Sequence, residues 1–316
     1  MPKPHRTSWA EPGFLDLWAQ APALRHVHPA APPPRAATER GPTAQGRPED
    51  TQQKEAGMTD HALYYTDALV EKLQLRWGDG CLSPGGAPEL ARMLSGIDVT
   101  GREVLDLGCG VGGYDLLLAE AHGAARVMGV DIDGASLEQA RRRAASSDVA
   151  DRLEFQRIEP GPLPFEVDRF DIVFSKDTIV DLPDKRTALT ELFRVTRPGG
   201  RIALSDWFRA DAPMTPEMRA WTSEGDETYE MATLAETAAL LGAAGFESIE
   251  TEDRNAWFRD YARDEYDRLR GPLFATFAER FGEEDARRSV ENARVRALLA
   301  EQGQLRPGHI RATKPR

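Results

Sequence analysis

Residues Glu103 to Gly113, Glu-Val-Leu-Asp-Leu-Gly-Cys-Gly-Val-Gly-Gly, leave this chain few folds to choose from. Val104, Leu105 and Leu107 are branched aliphatics of the kind that build a short buried strand. Gly108, Gly110, Gly112 and Gly113 follow at once, and a helix is expected from near Tyr114 through Leu116, Leu117, Leu118 and Ala119. Strand, glycine turn and helix make the first unit of a doubly wound sheet. There the backbone passes close to a ligand, and a Cβ would stand in the way. A second strand, Arg126 to Val130, ends in Asp131, whose carboxylate is placed to accept hydrogen bonds from ribose hydroxyls.

Two cofactor classes fit this core. Gly108, Gly110 and Gly113 satisfy the G-x-G-x-x-G dinucleotide pattern, which predicts an NAD-dependent dehydrogenase. Read as Asp106-x-Gly108-x-Gly110, the same stretch resembles motif I of the class I S-adenosylmethionine (SAM) methyltransferases. Asp106 sits inside the strand, where dinucleotide-binding strands carry apolar residues. Phe170-Asp171-Ile172-Val173-Phe174-Ser175 resembles that family's fourth strand, and Leu192 to Leu204, with Pro198-Gly199-Gly200 inside it, resembles its helix, turn and fifth strand. The resemblance implies an α/β Rossmann-like sheet of seven strands, the last antiparallel, with SAM as cofactor and a helical lid.

Bulk properties narrow the partners. A formal charge of -12 with no offsetting basic block argues against a nucleic-acid backbone, and Arg141-Arg142-Arg143 reads as a solvated helix face. Cys81 and Cys109 are the two cysteines and form no metal-type cluster; a reduced cytoplasmic protein without structural disulfides is the simplest expectation. His61, His122 and His309 are not spaced as ligands, so no metal is expected. No apolar run reaches the roughly 20 residues of a membrane span.

Residues 1–57 hold ten of the 22 prolines and no sustained apolar period, so a disordered extension is expected, with Met58 as an alternative start. The catalytic domain is then 58–316, with lid helices in 58–85 and about 207–230 and 257–302. Leu63, Leu69, Val70 and Leu73 predict an amphipathic helix or helix pair from Asp60 to Leu75, and a loop follows from Trp77 to Gly86. Leu153 to Ile158 is the expected third strand. Ala232 to Gly245 is a helix, Phe246 to Asp253 a strand, and His309 to Lys314 a short final strand.

From Tyr65 to Lys314 the layout is similar to the small phosphoethanolamine N-methyltransferases. Tyr65-Thr66-Asp67 precedes Leu82-Ser83-Pro84-Gly85-Gly86 at that family's spacing. Ser175-Lys176-Asp177-Thr178-Ile179-Val180-Asp181-Leu182 resembles its Ser-Arg-Asp-x-Ile-x-His-Leu segment, and Ala312-Thr313-Lys314 its closing residues. The resemblance implies that Leu82, Ser83, Asp106, Gly108, Cys109, Gly110, Asp131, Ile132, Glu159 and Lys176 surround SAM, while Tyr65 and Asp177 face the acceptor.

Two positions depart from that pattern. Asp181 stands where the family pairs a histidine with its tyrosine. The stretch Glu224 to Glu230 carries Tyr229 but has Glu227 near the place of a phosphate-binding arginine, and Glu301 to Leu305 offers no lysine. Carboxylates there repel a phosphate. Arg254 and Arg306 are the cations left to meet one.

Methyl transfer to an amine is an in-line displacement in which positioning supplies much of the rate, and the ammonium must first lose a proton. Carboxylates and phenols serve as proton acceptors and as partners for the cationic product. Tyr65, Asp177 and Asp181 are the candidate catalytic set, and on a helical turn Asp177 and Asp181 share one face. Trp207 and Tyr229 are the candidate substrate contacts, part of an aromatic cage with Phe208, Trp221, Trp257 and Tyr261 for an alkylated ammonium. Transfer to sulfur, oxygen or carbon is the enzyme alternative, and a cofactor-binding interaction protein the non-enzyme one.

Overall fold

The computed structural model describes residues 65–224, 227–228 and 231–316. The expectations for residues 1–64, including Met58 and the first part of the N-terminal lid, lie outside the described residues, as does Tyr229.

The sheet has seven strands in the order β3-β2-β1-β4-β5-β7-β6. β1 (Glu103–Leu107), β2 (Arg126–Asp131), β3 (Leu153–Arg157), β4 (Phe170–Lys176) and β5 (Thr196–Asp206) run parallel. β7 (Gly308–Thr313) is antiparallel to both β5 and β6 (Glu247–Asp253). The strand order reverses between β1 and β4, so the crevice at their carboxyl ends is where a ligand is expected in such a sheet.

The sheet is covered on both faces. α3 (Gly113–Glu120) and α4 (Gly134–Ala145) follow β1 and β2; α5 (Lys185–Val195) and α7 (Leu234–Ala244) pack on the other side. α7 starts on a capping box, Thr233 with Glu236, and stops at Gly245 in the left-handed region, φ 111°.

The remaining helices are the lid. α1 (Asp67–Trp77) and α2 (Gly86–Met93) precede the sheet; α6 (Pro216–Thr222) follows β5. The expected helical stretch after Trp257 is three helices, α8 (Asn255–Arg270), α9 (Phe274–Phe281) and α10 (Glu283–Glu301). α1 docks on them through charge as much as through apolar contact. Glu265 of α8 takes Arg296 at 2.8 Å, Trp77 Nε1 at 3.1 Å and Arg76 at 3.3 Å. Lys72 pairs with Asp285. Burial, then Arg296, lowers the Arg76 guanidinium to about 10.

Sequence reading missed α2 and treated the Arg141 to Arg143 run as solvated. Arg143 instead reaches back to the loop after α1, contacting Asp79 and, at 2.7 Å, the Gln74 side chain.

Candidate cofactor and acceptor site

The glycine turn lies at the carboxyl end of β1. Gly110 donates its N–H to Asp131 Oδ2 at 2.9 Å, and Asp133 donates to Asp131 Oδ1 at 2.9 Å. Each carboxylate oxygen keeps a further lone pair for a hydroxyl donor. Gly110 has φ 53°, and a Cβ there would sit 2.8 Å from Leu82 Cδ1. A Cβ on Gly108 would collide with the Thr178 side chain. The loop carrying Leu82 and the turn after β4 therefore close directly on the glycines.

Ser83 and Cys81 lie beside the buried Tyr114 hydroxyl. The Cys109 thiol is tucked under the turn, and burial, then Asp115, pushes its pKa up. Ile132 follows Asp131, and its carbonyl accepts from Arg157 Nε at 3.1 Å. Glu159 stands apart: its side chain is exposed, 3.8 Å from Arg157.

The acceptor candidates converge differently from the expectation. The Tyr65 hydroxyl is buried within electrostatic reach of the carboxylates of Asp181, Asp131, Asp133 and Asp177. Burial, then those charges, raises its pKa above the ordinary phenol value, so it is a hydrogen-bond donor at neutral pH. Asp177 and Asp181 do not share a helical face. Asp177 has φ 54°, and only a short 3₁₀ turn, Ile179–Asp181, follows. The two approach Tyr65 because the chain bends sharply at Asp177, whose N–H donates to the Ser205 carbonyl at 2.8 Å.

Lys176, an expected cofactor contact, is buried at the end of β4. Its ammonium lies 2.7 Å from Asp177 Oδ2 and 5.6 Å from the Tyr114 ring centre. Burial opposes the charge, but Asp177 and Tyr114 raise the Lys176 pKa overall.

The aromatic cage is partly assembled. Trp207 meets Phe258 edge-on at 4.9 Å, and Trp257 stacks obliquely on Tyr261 at 5.2 Å. Trp221 packs against the same cluster. Phe208 does not belong to it; alternation along the chain turns it into the sheet-side core with Leu204 and Ile310. Arg254 and Arg306, the cations left for a phosphate, are engaged elsewhere: Arg254 with Glu89 at 2.9 Å, Arg306 with Asp253 at 2.5 Å.

Two acids at the site went unread. Asp206 ends β5 fully buried, and its oxygens accept from Val180 N and Trp207 N at 2.8 Å each. Its position mirrors Asp131 at the end of an apolar strand, which was the available signal. Asp115 is buried in the first turn of α3, on the face of Leu118. A carboxylate on an otherwise apolar face was its signal.

A family model described as a methyltransferase domain matches residues 98–268, more than half of the chain. The chain belongs to this family. A curated relative, the O-methyltransferase rstn1 of Aspergillus nomiae, is 33% identical over 165 residues, covering 52% of this chain and 72% of the relative. Phosphoethanolamine N-methyltransferase 1 of Zea mays is 27% identical over 256 residues, covering 81% of this chain and 50% of the relative. This chain thus spans about half the length of such curated phosphoethanolamine N-methyltransferases. Among solved structures, phosphoethanolamine N-methyltransferase 2 of Haemonchus contortus, in complex with phosphomonomethylethanolamine and S-adenosylhomocysteine, superposes with a TM-score of 0.72 at 23% identity. It covers 80% of this chain and 59% of that one, a likeness of fold. Membership in the methyltransferase family favours the SAM interpretation of the glycine turn over the dinucleotide one. Among the described residues no helix is long and apolar enough to cross a membrane.

Proposed function

We propose that this methyltransferase-family protein moves a methyl group from SAM to the nitrogen of a small amine that carries no phosphate. The observation that carries this is the set of four carboxylates around the Tyr65 hydroxyl. Lys176 offsets the charge of Asp177, and the remaining negative balance attracts an ammonium and repels an anion. With Arg254 and Arg306 committed to Glu89 and Asp253, a phosphate has no partner in either of them.

The residues suit SAM on their own terms. The glycine turn lies at the carboxyl end of β1 beneath Leu82, and Asp131, held by the Gly110 and Asp133 amides, keeps lone pairs for ribose hydroxyls beside it. Ser83, Leu82 and Asp106 complete the binding set. When bound, SAM supplies a methyl group on a sulfonium that is open to in-line attack. Asp177 and Asp181 neutralise the acceptor ammonium and take its proton. Tyr65, held protonated, orients the acceptor as a donor. Trp207 offers a ring face to the alkylated product, whereas the Trp257 ring already carries the Arg254 guanidinium at 5.3 Å. Asp206 fixes the turn carrying Asp181 to the end of β5, just before Trp207. Residues 58–316 form the catalytic domain in this proposal, 1–57 an extension, and the compartment is the cytoplasm, consistent with free Cys81 and Cys109.

Transfer to oxygen is the second possibility, favoured by the relative named as an O-methyltransferase at 33% identity. Calorimetric titration separates the cofactor classes first. SAM should bind the wild type, and Asp131→Ala should weaken it about tenfold or more. Tight NADH binding without SAM binding would overturn the cofactor assignment, and unchanged affinity in Asp131→Ala would remove that residue's role.

A further inference from the structure

Beneath the glycine turn two acids are packed against each other without a cation. Asp106 lies in β1 between Gly129 of β2 and Phe174 of β4. Asp115 reaches it from α3; the two are 2% and 0% exposed. Their carboxyl groups face one another. Among the described residues, Asp106 Oδ1 and both Asp115 oxygens have no hydrogen-bond donor from another side chain or strand. The titratable groups facing them are the Cys109 thiol from the turn and Asp131 from β2. The site is tight. A Cβ on Gly129 would stand 2.6 Å from Asp115 Oδ1 and 2.9 Å from Cys109 Sγ.

With no cation to offset them, two ionised carboxylates repel strongly in so dry a place, whereas one proton between them makes the contact a hydrogen bond. Burial, then Asp115, accordingly pushes Asp106 upward. A shared proton would relieve the repulsion of the pair directly below the glycine turn.

We propose that Asp115 is a positioning residue for the cofactor: it holds Asp106 in place through one shared proton, and the arrival of a cationic ligand at the glycine turn releases that proton to solvent. The inference rests on SAM as the cofactor. In the balance, one O–H bond of the pair breaks, the proton leaves to buffer, and the second carboxylate charge remains to face the cation. SAM carries a sulfonium and an ammonium; S-adenosylhomocysteine has lost the sulfonium charge. The product should thus release less of the proton and be favoured less at higher pH.

The test is calorimetric titration of the full chain with SAM from pH 6 to 8, in two buffers of different ionisation heat. Wild type should release up to one proton, and its SAM affinity should rise with pH by up to about tenfold per unit. Asp115→Asn, which keeps the shape and donates to Asp106, should lose that proton release and show a flatter profile. Titration of the ligand's own amine is the same in both and cancels in the comparison. Asp106→Asn is the second variant, with the same flattening expected. SAM binding without proton release in wild type, or an unchanged profile in the variants, overturns the shared proton while leaving the cofactor assignment intact. Failure of SAM to bind at any pH overturns both.

Discussion

Lys176 Nζ lies 2.7 Å from Asp177 Oδ2, and the two side chains are 5% and 7% exposed. Consecutive residues thus form a buried ion pair at the carboxyl end of β4, with Asp177 in the left-handed region at φ 54°. Removing one partner of a buried pair leaves a desolvated charge and costs about 3–5 kcal/mol. Asp177→Ala should lose stability on that scale in urea unfolding. Pairing it with Lys176→Met should recover part of the loss. A loss under about 1 kcal/mol would mean that the pair is more solvated than its geometry indicates.

Asp206 ties the Val180 and Trp207 amides together, so its removal should loosen the acceptor side without touching the glycine turn. Asp206→Ala should cost about 2–3 kcal/mol of stability, while Asp206→Asn, which keeps one acceptor, should cost less. SAM affinity should hold and KM for the acceptor should rise in the asparagine variant. A selective loss of SAM affinity would move Asp206 to the cofactor side.

Glu265 is the hub of the lid, with Arg76, Arg296 and the Trp77 indole all on one carboxylate. Glu265→Ala leaves two buried guanidiniums facing each other. Amide exchange across α1 should accelerate well before exchange in β1 or β4. Uniform acceleration would show that the lid and sheet open as one unit.

Stability should fall as pH rises through neutrality. Burial raises Asp115 to about 7 and lifts Asp106 and Asp206 above the ordinary carboxylate range. A carboxyl whose folded pKa is raised binds more protons in the native than in the unfolded state. Its effect on stability is then lost from about pH 4 up through 7. Glu89 works in the other direction: burial opposes ionisation, but His309 and Arg254 hold it down to about 2, so its contribution is lost as pH falls from about 4.5 towards 2. Thermal melts should peak on the mildly acidic side, and Asp115→Asn should flatten the alkaline limb. A peak at pH 8 or above would contradict the buried-acid assignment.

The sheet was legible because its strands announce themselves locally. Val104 to Leu107, Phe170 to Ser175 and the glycines between β1 and α3 marked the strands and the turn at which a ligand was expected. Asp131 was legible for the same reason, as an acid closing an apolar strand. The bend at Asp177 was not, because a non-glycine residue in the left-handed region is imposed by the Ser205 carbonyl and the buried Lys176, both tertiary partners. The commitments of Arg254 and Arg306 were equally hidden, since their partners, Glu89 and Asp253, lie 165 and 53 residues away. Phe208 was misplaced by grouping aromatics along the sequence when alternation sends neighbours to opposite sides.

Charge at the acceptor is the central claim, and a matched pair of substrates tests it most directly. Methyl transfer from SAM to ethanolamine and to phosphoethanolamine should be measured side by side with the wild-type protein. Transfer to the unphosphorylated amine, with phosphoethanolamine inert or at least tenfold poorer in kcat/KM, is the result expected from four carboxylates around Tyr65. Preferential methylation of phosphoethanolamine would mean that a phosphate finds cationic partners despite the ion pairs of Arg254 and Arg306, and would contradict the assignment.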